Sequence, residues 1–237
     1  MFVDIVLPNG NEEAFVKRAV SLNFDGLCFL YSPKDFLTSR PLIENLSSKY
    51  NLKLYSGLLV DKDFLSFKRK FKPDLICSYS LDRAKIHRGL DVMFRAEDSS
   101  KDFLRFRNSG LDLVKSSIMR RFDVLYGFDI SFVVDSIANE DYAVLSRIVQ
   151  NFKILRKSKL DMVFASFSSD PCKLFNVDDV RAFMISFGAS TQQVALASKL
   201  LADRITFNSD FNKGLIVEKG VRRLSDEELR DYIKRSN

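Results

Sequence analysis

Strand-length apolar runs alternate with helix-length amphipathic segments along the chain, and this predicts an α/β protein. The expected architecture is a TIM-like (β/α) barrel of seven to eight parallel strands with surrounding helices. Three observations carry the prediction. Leu27-Cys28-Phe29-Leu30-Tyr31 is apolar at every position, as in a strand buried on both faces. Seven or eight βα units fit in about 210 residues, the small end of the barrel range. The first βα turn, Pro8-Asn9-Gly10-Asn11, lacks the glycine fingerprint usual in the competing open, doubly wound sheet.

In order, a first strand is expected at Phe2–Leu7 and a helix capped by Asn11, with Glu12 and Glu13 at the positive end of its dipole. Phe15, Val16, Ala19, Val20 and Leu22 recur at helical spacing and lead to the second strand at Leu27–Tyr31. Helices near Pro41–Tyr50, over Asp63–Phe71 and over Asp82–Gly89 precede strands at Lys53–Val60, Asp74–Ser80 and Asp91–Arg95. The first of those helices leads to Lys53–Val60, the second to Asp74–Ser80 and the third to Asp91–Arg95. A helix over Leu111–Phe122 leads to a strand over Asp123–Ile130. The best-marked helix, Asp141–Lys159, places Leu145, Ile148, Val149, Phe152 and Leu155 on one stripe before a strand at Met162–Ala165. Val177–Phe187 reads as a helix closed by Gly188, and a small-residue helix at Thr191–Ala202 leads to an eighth strand at Arg204–Phe207.

Composition narrows the class. With 46% hydrophobic and 29% charged residues the balance is globular, and 9 Gly and 5 Pro leave no long flexible linker. One domain is expected over residues 1–220, with a basic, helical C-terminal tail over 221–237. The apolar N-terminus lacks a positive flank and stops within a strand's length, so no secretory leader is expected. No apolar run approaches the roughly 20 residues of a membrane helix, so no membrane partner is expected. Cys28, Cys77 and Cys172 are odd in number and far apart, which argues against a disulfide framework or zinc knuckle and for a reducing cytoplasm.

Few residues offer catalytic chemistry. The lone histidine, His87, lies in a basic stretch and reads as a solvent-facing residue, and Val6-Leu7-Pro8 supplies no metal ligand at the end of the first strand. Asp4, Asp61, Asp129 and Asp135 lie in or just beyond proposed strands, and two of them could build a carboxylate Mg²⁺ site. That leaves a divergent barrel phosphoesterase with a carboxylate-bound divalent ion as the alternative function. Asp at a strand end more often caps the next turn, and that role is favoured. Cysteines within apolar runs such as Leu75-Ile76-Cys77 behave as small hydrophobes.

Basic clusters are the more prominent signal. The net charge of +6 favours a polyanionic partner without demanding one. Lys68-Arg69-Lys70-Phe71-Lys72 is the densest run. Arg105 with Arg107, Arg120-Arg121, the Lys153/Arg156/Lys157/Lys159 group and Arg222-Arg223 follow. Such groups can contact phosphates, although any single cluster is best explained as a solvated helix surface.

Arg107-Asn108-Ser109-Gly110-Leu111, the helix after it and the strand through Gly127-Phe128-Asp129-Ile130 resemble the ribonuclease P protein component 3 family. The resemblance continues through Arg147–Lys157, Ala165-Ser166-Phe167 and the helix ending Phe187-Gly188, and includes the opening strand and Phe24-Asp25-Gly26-Leu27. It spans nearly the whole chain and is strongest over residues 107–188. One departure is clear: where the family carries an Arg-x-Pro-x-Asp-like approach to a helix, this chain reads Phe175-Asn176-Val177-Asp178-Asp179, without the Arg and the Pro.

The resemblance implies a barrel distantly related to PHP-type phosphoesterases but without their metal ligands. It implies a noncatalytic subunit of ribonuclease P, an endoribonuclease in which catalytic RNA removes the 5′ leader of precursor tRNA and holds the Mg²⁺. Implied partners are ribonuclease P RNA, precursor tRNA and ribonuclease P protein component 2, in the cytoplasm of an archaeon or the nucleus of a eukaryote. Candidate RNA or partner contacts are Arg107, Asn108, Arg147, Asn151, Arg156 and Lys157, together with Lys68, Arg69 and Lys70. Arg147 and Asn151 are one helical turn apart and share a face. A local structural hydrogen bond competes with RNA contact at each of these positions.

Overall fold

The computed structural model describes residues 1–98, 102, 104, 107–218 and 221–222. Seven strands form one parallel sheet in sequence order: β1 (Val3–Val6), β2 (Gly26–Tyr31), β3 (Lys53–Leu59), β4 (Leu75–Ser78), β5 (Val92–Phe94), β6 (Leu125–Asp129) and β7 (Met162–Ala165). Around it lie α1 (Glu12–Ser21), α2 (Phe36–Tyr50), α3 (Phe64–Phe71), α4 (Leu113–Arg121), α5 (Ile130–Ala138), α6 (Tyr142–Ser158), α7 (Val177–Ser186) and α8 (Thr191–Asn212). A short antiparallel pair, β8 (Ile216–Glu218) and β9 (Val221–Arg222), follows α8. The expected tail therefore begins within a strand pair, and its remainder, 223–237, lies outside the described residues.

Strand alternation divides the core into two layers. Val3, Ile5, Cys28, Leu30, Leu75, Cys77, Val92, Phe94, Val163 and Ala165 fill the barrel interior. Leu27, Phe29, Leu58, Ile76, Met93, Tyr126, Phe128 and Phe164 face outward into the helix layer. Within the interior the Phe94 and Phe167 rings stack at 4.0 Å. Gly127 makes room for them: a Cβ there would meet Val92 Cγ1 at 2.9 Å and Phe94 Cβ at 3.1 Å.

The expected eighth strand at Arg204–Phe207 is instead part of the 22-residue α8. Arg-Ile-Thr-Phe has strand propensity, but the helical spacing of Val194, Ala197, Leu201, Ile205 and Asn208 runs through it. Ser190 and Gln193 cap the helix reciprocally. Leu201, Ala202 and Ile205 join the interior cluster, so α8 closes the end of the barrel where the strands begin. Arg204 reaches Asp91 at 3.4 Å and Asp123 at 2.9 Å, and Asn208 Nδ2 donates to the Asp74 carbonyl at 3.0 Å, fixing the plug to that rim.

Three further differences are local. The helix expected over Asp82–Gly89 shrinks to a 3₁₀ turn, Arg83–Lys85, because Leu81, Ile86 and Leu90 are buried at spacings that suit a packed loop. The helix expected at Pro41–Tyr50 begins earlier, at Phe36, with Pro41 inside it. Residues 130–138 form α5, which the apolar Ser-Phe-Val-Val sequence after Asp129 had hidden from the helix pattern; the Asp129 carboxylate caps it through Phe132 N at 2.8 Å.

With no eighth strand, β1 meets the segment that follows β7. Phe167 N donates to the Ile5 carbonyl at 2.8 Å and Leu7 N to the Ser168 carbonyl at 2.9 Å. Just before them the Asp4 carboxylate forms a clasp. Its Oδ1 accepts from Ser166 N at 2.7 Å and Ile5 N at 2.8 Å, and its Oδ2 accepts from Ser166 Oγ at 2.5 Å. Carboxylates serve the strand-entry rim in the same way: Asp25, Asp74 and Asp91 accept from the backbone N–H groups of Phe2, Ser56 and Ile76 at 2.5, 2.8 and 2.9 Å.

Burial pushes the Asp4 carboxyl up to about 6, against the lowering effect of the Ser166 and Ile5 donors. A folded value above the unfolded one means that the folded protein holds a proton the unfolded chain has already released. Stability from this group is full below the unfolded value of 3.8 and falls as pH rises toward 6. In Asp4→Asn, Oδ1 still accepts both N–H groups, and the amide can donate to a rotated Ser166 hydroxyl. Urea unfolding between pH 4 and 7.5 should show the wild type losing about 2–2.5 kcal/mol more than Asp4→Asn over this window. Parallel stability curves for the two proteins would show that Asp4 does not titrate there.

Candidate nucleic-acid interface

In a β/α barrel the strand C-terminal ends are where enzymes place reacting groups. Here that end is occupied by an internal ion pair. Arg95, just past β5, adopts the left-handed region with φ 55° and donates from Nε to Asp129 Oδ2 at 2.6 Å. Its guanidinium lies over the Tyr79 ring at 5.8 Å and the Phe132 ring at 5.0 Å, with the side chain 24% exposed. Burial pushes the Asp129 carboxyl up to about 7 although Arg95 opposes the shift.

The other carboxylates considered as metal ligands do not join Asp129. Asp4 is held by Ser166 at the seam, Asp61 is exposed in the turn after β3, and Asp135 lies within α5, where Lys173 pairs with it at 2.6 Å. Among the described residues no three His, Cys, Asp or Glu side chains come together in a metal-binding group. His87 packs against Phe64, with ring centroids 5.0 Å apart, and its Nδ1 lies 3.0 Å from the Arg88 carbonyl. Cys28 and Cys77 are buried, and burial raises both thiols well above their usual value.

Four of the expected contact residues converge, but on the protein itself. Arg147 and Asn151 on α6 point at the segment between β5 and α4. Arg147 donates from Nε to Asp102 Oδ1 at 3.0 Å and from Nη1 to the Glu97 carbonyl at 3.2 Å. Asn151 is fully buried, and its Nδ2 reaches Tyr126 Oη at 2.9 Å, the Ser109 carbonyl at 3.2 Å and Glu97 Oε2 at 3.3 Å. Asn108 shapes the same loop: its N–H donates to Asp102 Oδ1 at 3.0 Å and its Oδ1 accepts from Gly110 N at 3.1 Å. Arg107 is exposed, 3.5 Å from Asp102. The buried pair thus acts as a staple between α6, β6 and the loop; the shared helix face is real, and it faces inward.

The sequence reading missed Glu97, Asp102 and Tyr126, the partners in this staple, and Arg95. Tyr126 Oη donates to Glu97 Oε2 at 2.6 Å. Burial pushes the Glu97 carboxyl up, and Glu97 Oε1 and Asn151 Oδ1 are buried with no hydrogen-bond partner among the described residues. An available signal was the position of Arg95 at the end of the expected Asp91–Arg95 strand. Lys115 adds a second staple, donating from Nζ to the Gly110 carbonyl at 2.8 Å, and its burial lowers the ammonium value.

The remaining candidates lie where the helices end. Each barrel helix runs antiparallel to the strands, so its last turn lies near the strand-entry rim. Basic residues occupy the last turns of α1, α2, α3, α4 and α6, as the helix dipole favours. In α3, Lys68 is committed to Asp91 at 3.3 Å and Asn208 at 3.4 Å, Lys70 lies over the Phe71 ring at 5.1 Å, and Arg69 is exposed. In α6, Arg156 donates from Nη2 to the Gly188 carbonyl at 2.8 Å at the end of α7, and Lys157 is exposed. Arg105 and Arg223 lie outside the described residues.

The fold and these sites define a seven-stranded β/α barrel with an ion-paired mouth and cationic helix ends. No protein-family model and no curated protein matches the chain. Among solved structures, a chain from the cryo-EM structure of archaeal ribonuclease P with mature tRNA matches with a TM-score of 0.77 at 20% identity, over 95% of this chain and 99% of that one. A crystal structure of an amidohydrolase matches with a TM-score of 0.39 at 9% identity, over 86% of this chain and 48% of its own. The first likeness shows a shared fold along the whole chain; the second carries no argument.

Arg147→Ala should lower stability by about 1–3 kcal/mol in urea unfolding, because it removes the donor to the Glu97 carbonyl and leaves Asp102 with Asn108 N–H and the exposed Arg107 alone. It should also increase cleavage within residues 107–112 by limited proteolysis. Unchanged stability would mean that the staple is not formed in solution.

Proposed function

We propose that this chain is a noncatalytic protein subunit of ribonuclease P, assisting a catalytic RNA in removing the 5′ leader from precursor tRNA. The observation that carries this reading is the likeness, end to end on both sides, to a chain of the archaeal ribonuclease P complex. The motif resemblance over residues 107–188 points the same way, and it falls on the loop and helix that form the Arg147–Asn151 staple.

The strand ends support a noncatalytic role for the protein. A general acid, base or nucleophile must be able to reach substrate. Asp129 is fully buried and engaged by Arg95 and Phe132, and Asp4 is sealed in the β1–β7 seam. In the proposed role the Mg²⁺ ions belong to the RNA. The protein would act through ribonuclease P RNA, precursor tRNA and protein component 2, in an archaeal cytoplasm or a eukaryotic nucleus.

Reconstitution tests the proposal. The full chain, alone, should not cleave precursor tRNA. Added with protein component 2 to the cognate ribonuclease P RNA, it should raise cleavage and lower the Mg²⁺ concentration required. Neither effect, or cleavage by the protein alone, would overturn the reading.

A further inference from the structure

We propose that the joined C-terminal ends of α4 and α6 form a phosphate-contacting surface that binds structured RNA; this deepens the ribonuclease P reading and rests on it. Six cations gather there: Arg120 and Arg121 from α4, and Lys153, Arg156, Lys157 and Lys159 from α6 and its cap. Arg120 Nη1 donates to the Ser158 carbonyl at 2.8 Å, which brings the two helix ends into direct contact. All six side chains are exposed.

What marks this patch is the number of exposed cations on two joined helix ends, held at most by carbonyl groups or a ring and not by carboxylates. Among the described residues none of the six forms an ion pair. Lys49 at the end of α2 pairs with Glu13 and Lys68 of α3 with Asp91, so one cation at each of those two ends is neutralised. Asp123, the carboxylate that follows α4, is already held by Arg204 at 2.9 Å. Lys153 and Lys157 stand at i and i+4 on one helix face, where two like charges repel. An uncompensated arrangement of this kind weakens the isolated fold slightly and suits a ligand of opposite charge.

The surface chemistry selects RNA over a protein or membrane. Ile118, Met119, Ile154 and Leu155 in these turns are buried or half-buried, and the exposed apolar surface beside the cations is small, with Val149 one turn before Lys153 at 37% exposure. Protein interface cores are depleted in Lys and enriched in aromatic residues, and a membrane-surface helix needs an apolar face to insert. Lysines on a rigid helix end supply phosphate contacts without base readout, which fits recognition of RNA by shape and backbone. The patch also lies near the strand-entry rim, away from the mouth where a barrel enzyme would work.

The test compares full-length wild type with a variant carrying Arg121→Gln, Lys153→Gln, Lys157→Gln and Lys159→Gln, leaving the structural Arg120 and Arg156 in place. The probe is labelled ribonuclease P RNA, with affinity measured between 50 and 300 mM KCl. Loss of four phosphate contacts should reduce the slope of log K against log salt by about 3 and weaken binding at least about tenfold at low salt. Thermal stability without RNA should be unchanged or higher, since like-charge repulsion is relieved. A comparison variant with Arg69→Gln, Lys70→Gln and Lys72→Gln, which removes three cations from a single helix end, should alter the slope by less than the quadruple variant does. If the wild type binds and the quadruple variant keeps its slope, the surface is wrongly placed, while the subunit reading stands. If the wild type shows no salt-sensitive RNA binding, both fall. Vesicles of anionic lipid that bind the wild type as tightly as RNA, and lose it in the quadruple variant, would also overturn the proposal.

Discussion

The junction between β1 and the chain that follows β7 is the constraint on which the rest of the molecule depends. With seven strands the sheet closes only if Ile5 and Leu7 pair with Phe167 and Ser168. Ser166, one residue before Phe167, is bonded by the Asp4 carboxylate. A buried carboxylate is expensive to desolvate, and here three donors held in a fixed array offset part of that cost. A single side chain thus supplies hydrogen bonds that another strand would otherwise provide.

Closure in turn decides what the two ends of the barrel can do. Phe94 and Phe167 fill the interior near the mouth, and Leu201, Ala202 and Ile205 of α8 fill it near the strand entry. With both ends occupied, the interior is packed core in the sense expected of such barrels. The polar and charged groups at the mouth satisfy one another, as Arg95 and Asp129 do, or tie a loop to a helix, as Arg147, Asp102 and Asn151 do. Cations left over accumulate on the helix ends, where solvent and an external polyanion can reach them. The division of labour follows from packing: order inside, charge outside.

The sequence disclosed the strands far better than the contacts. Runs such as Leu27–Tyr31 and Met162–Ala165 are apolar at successive positions because both faces are buried, and that pattern survives without knowledge of partners. Arg204–Phe207 misled because β-branched and aromatic residues also suit a buried helix stripe, and α8 needs them to plug the barrel. The inward turn of Arg147 and Asn151 was half visible: their spacing gave a common face, but which face met the core depended on Glu97, Asp102 and Tyr126, each far away in sequence. The clasp at Asp4 was wholly hidden, because its partner Ser166 is 162 residues away. The basic clusters were plain as composition, and only the fold sorted the committed Lys68 from the unpaired Lys157.

The central claim is that this barrel contributes surface and shape rather than reacting groups. Its most direct measurement is precursor tRNA cleavage by ribonuclease P RNA reconstituted with protein component 2 and a chain carrying Arg95→Met with Asp129→Asn. Removing both members of the pair avoids leaving one charge buried alone. The account predicts that cleavage at saturating RNA and Mg²⁺ matches wild type, with urea unfolding confirming that the variant is folded. A fall of about a hundredfold or more in kcat from a folded variant would place chemistry at the mouth and contradict the account.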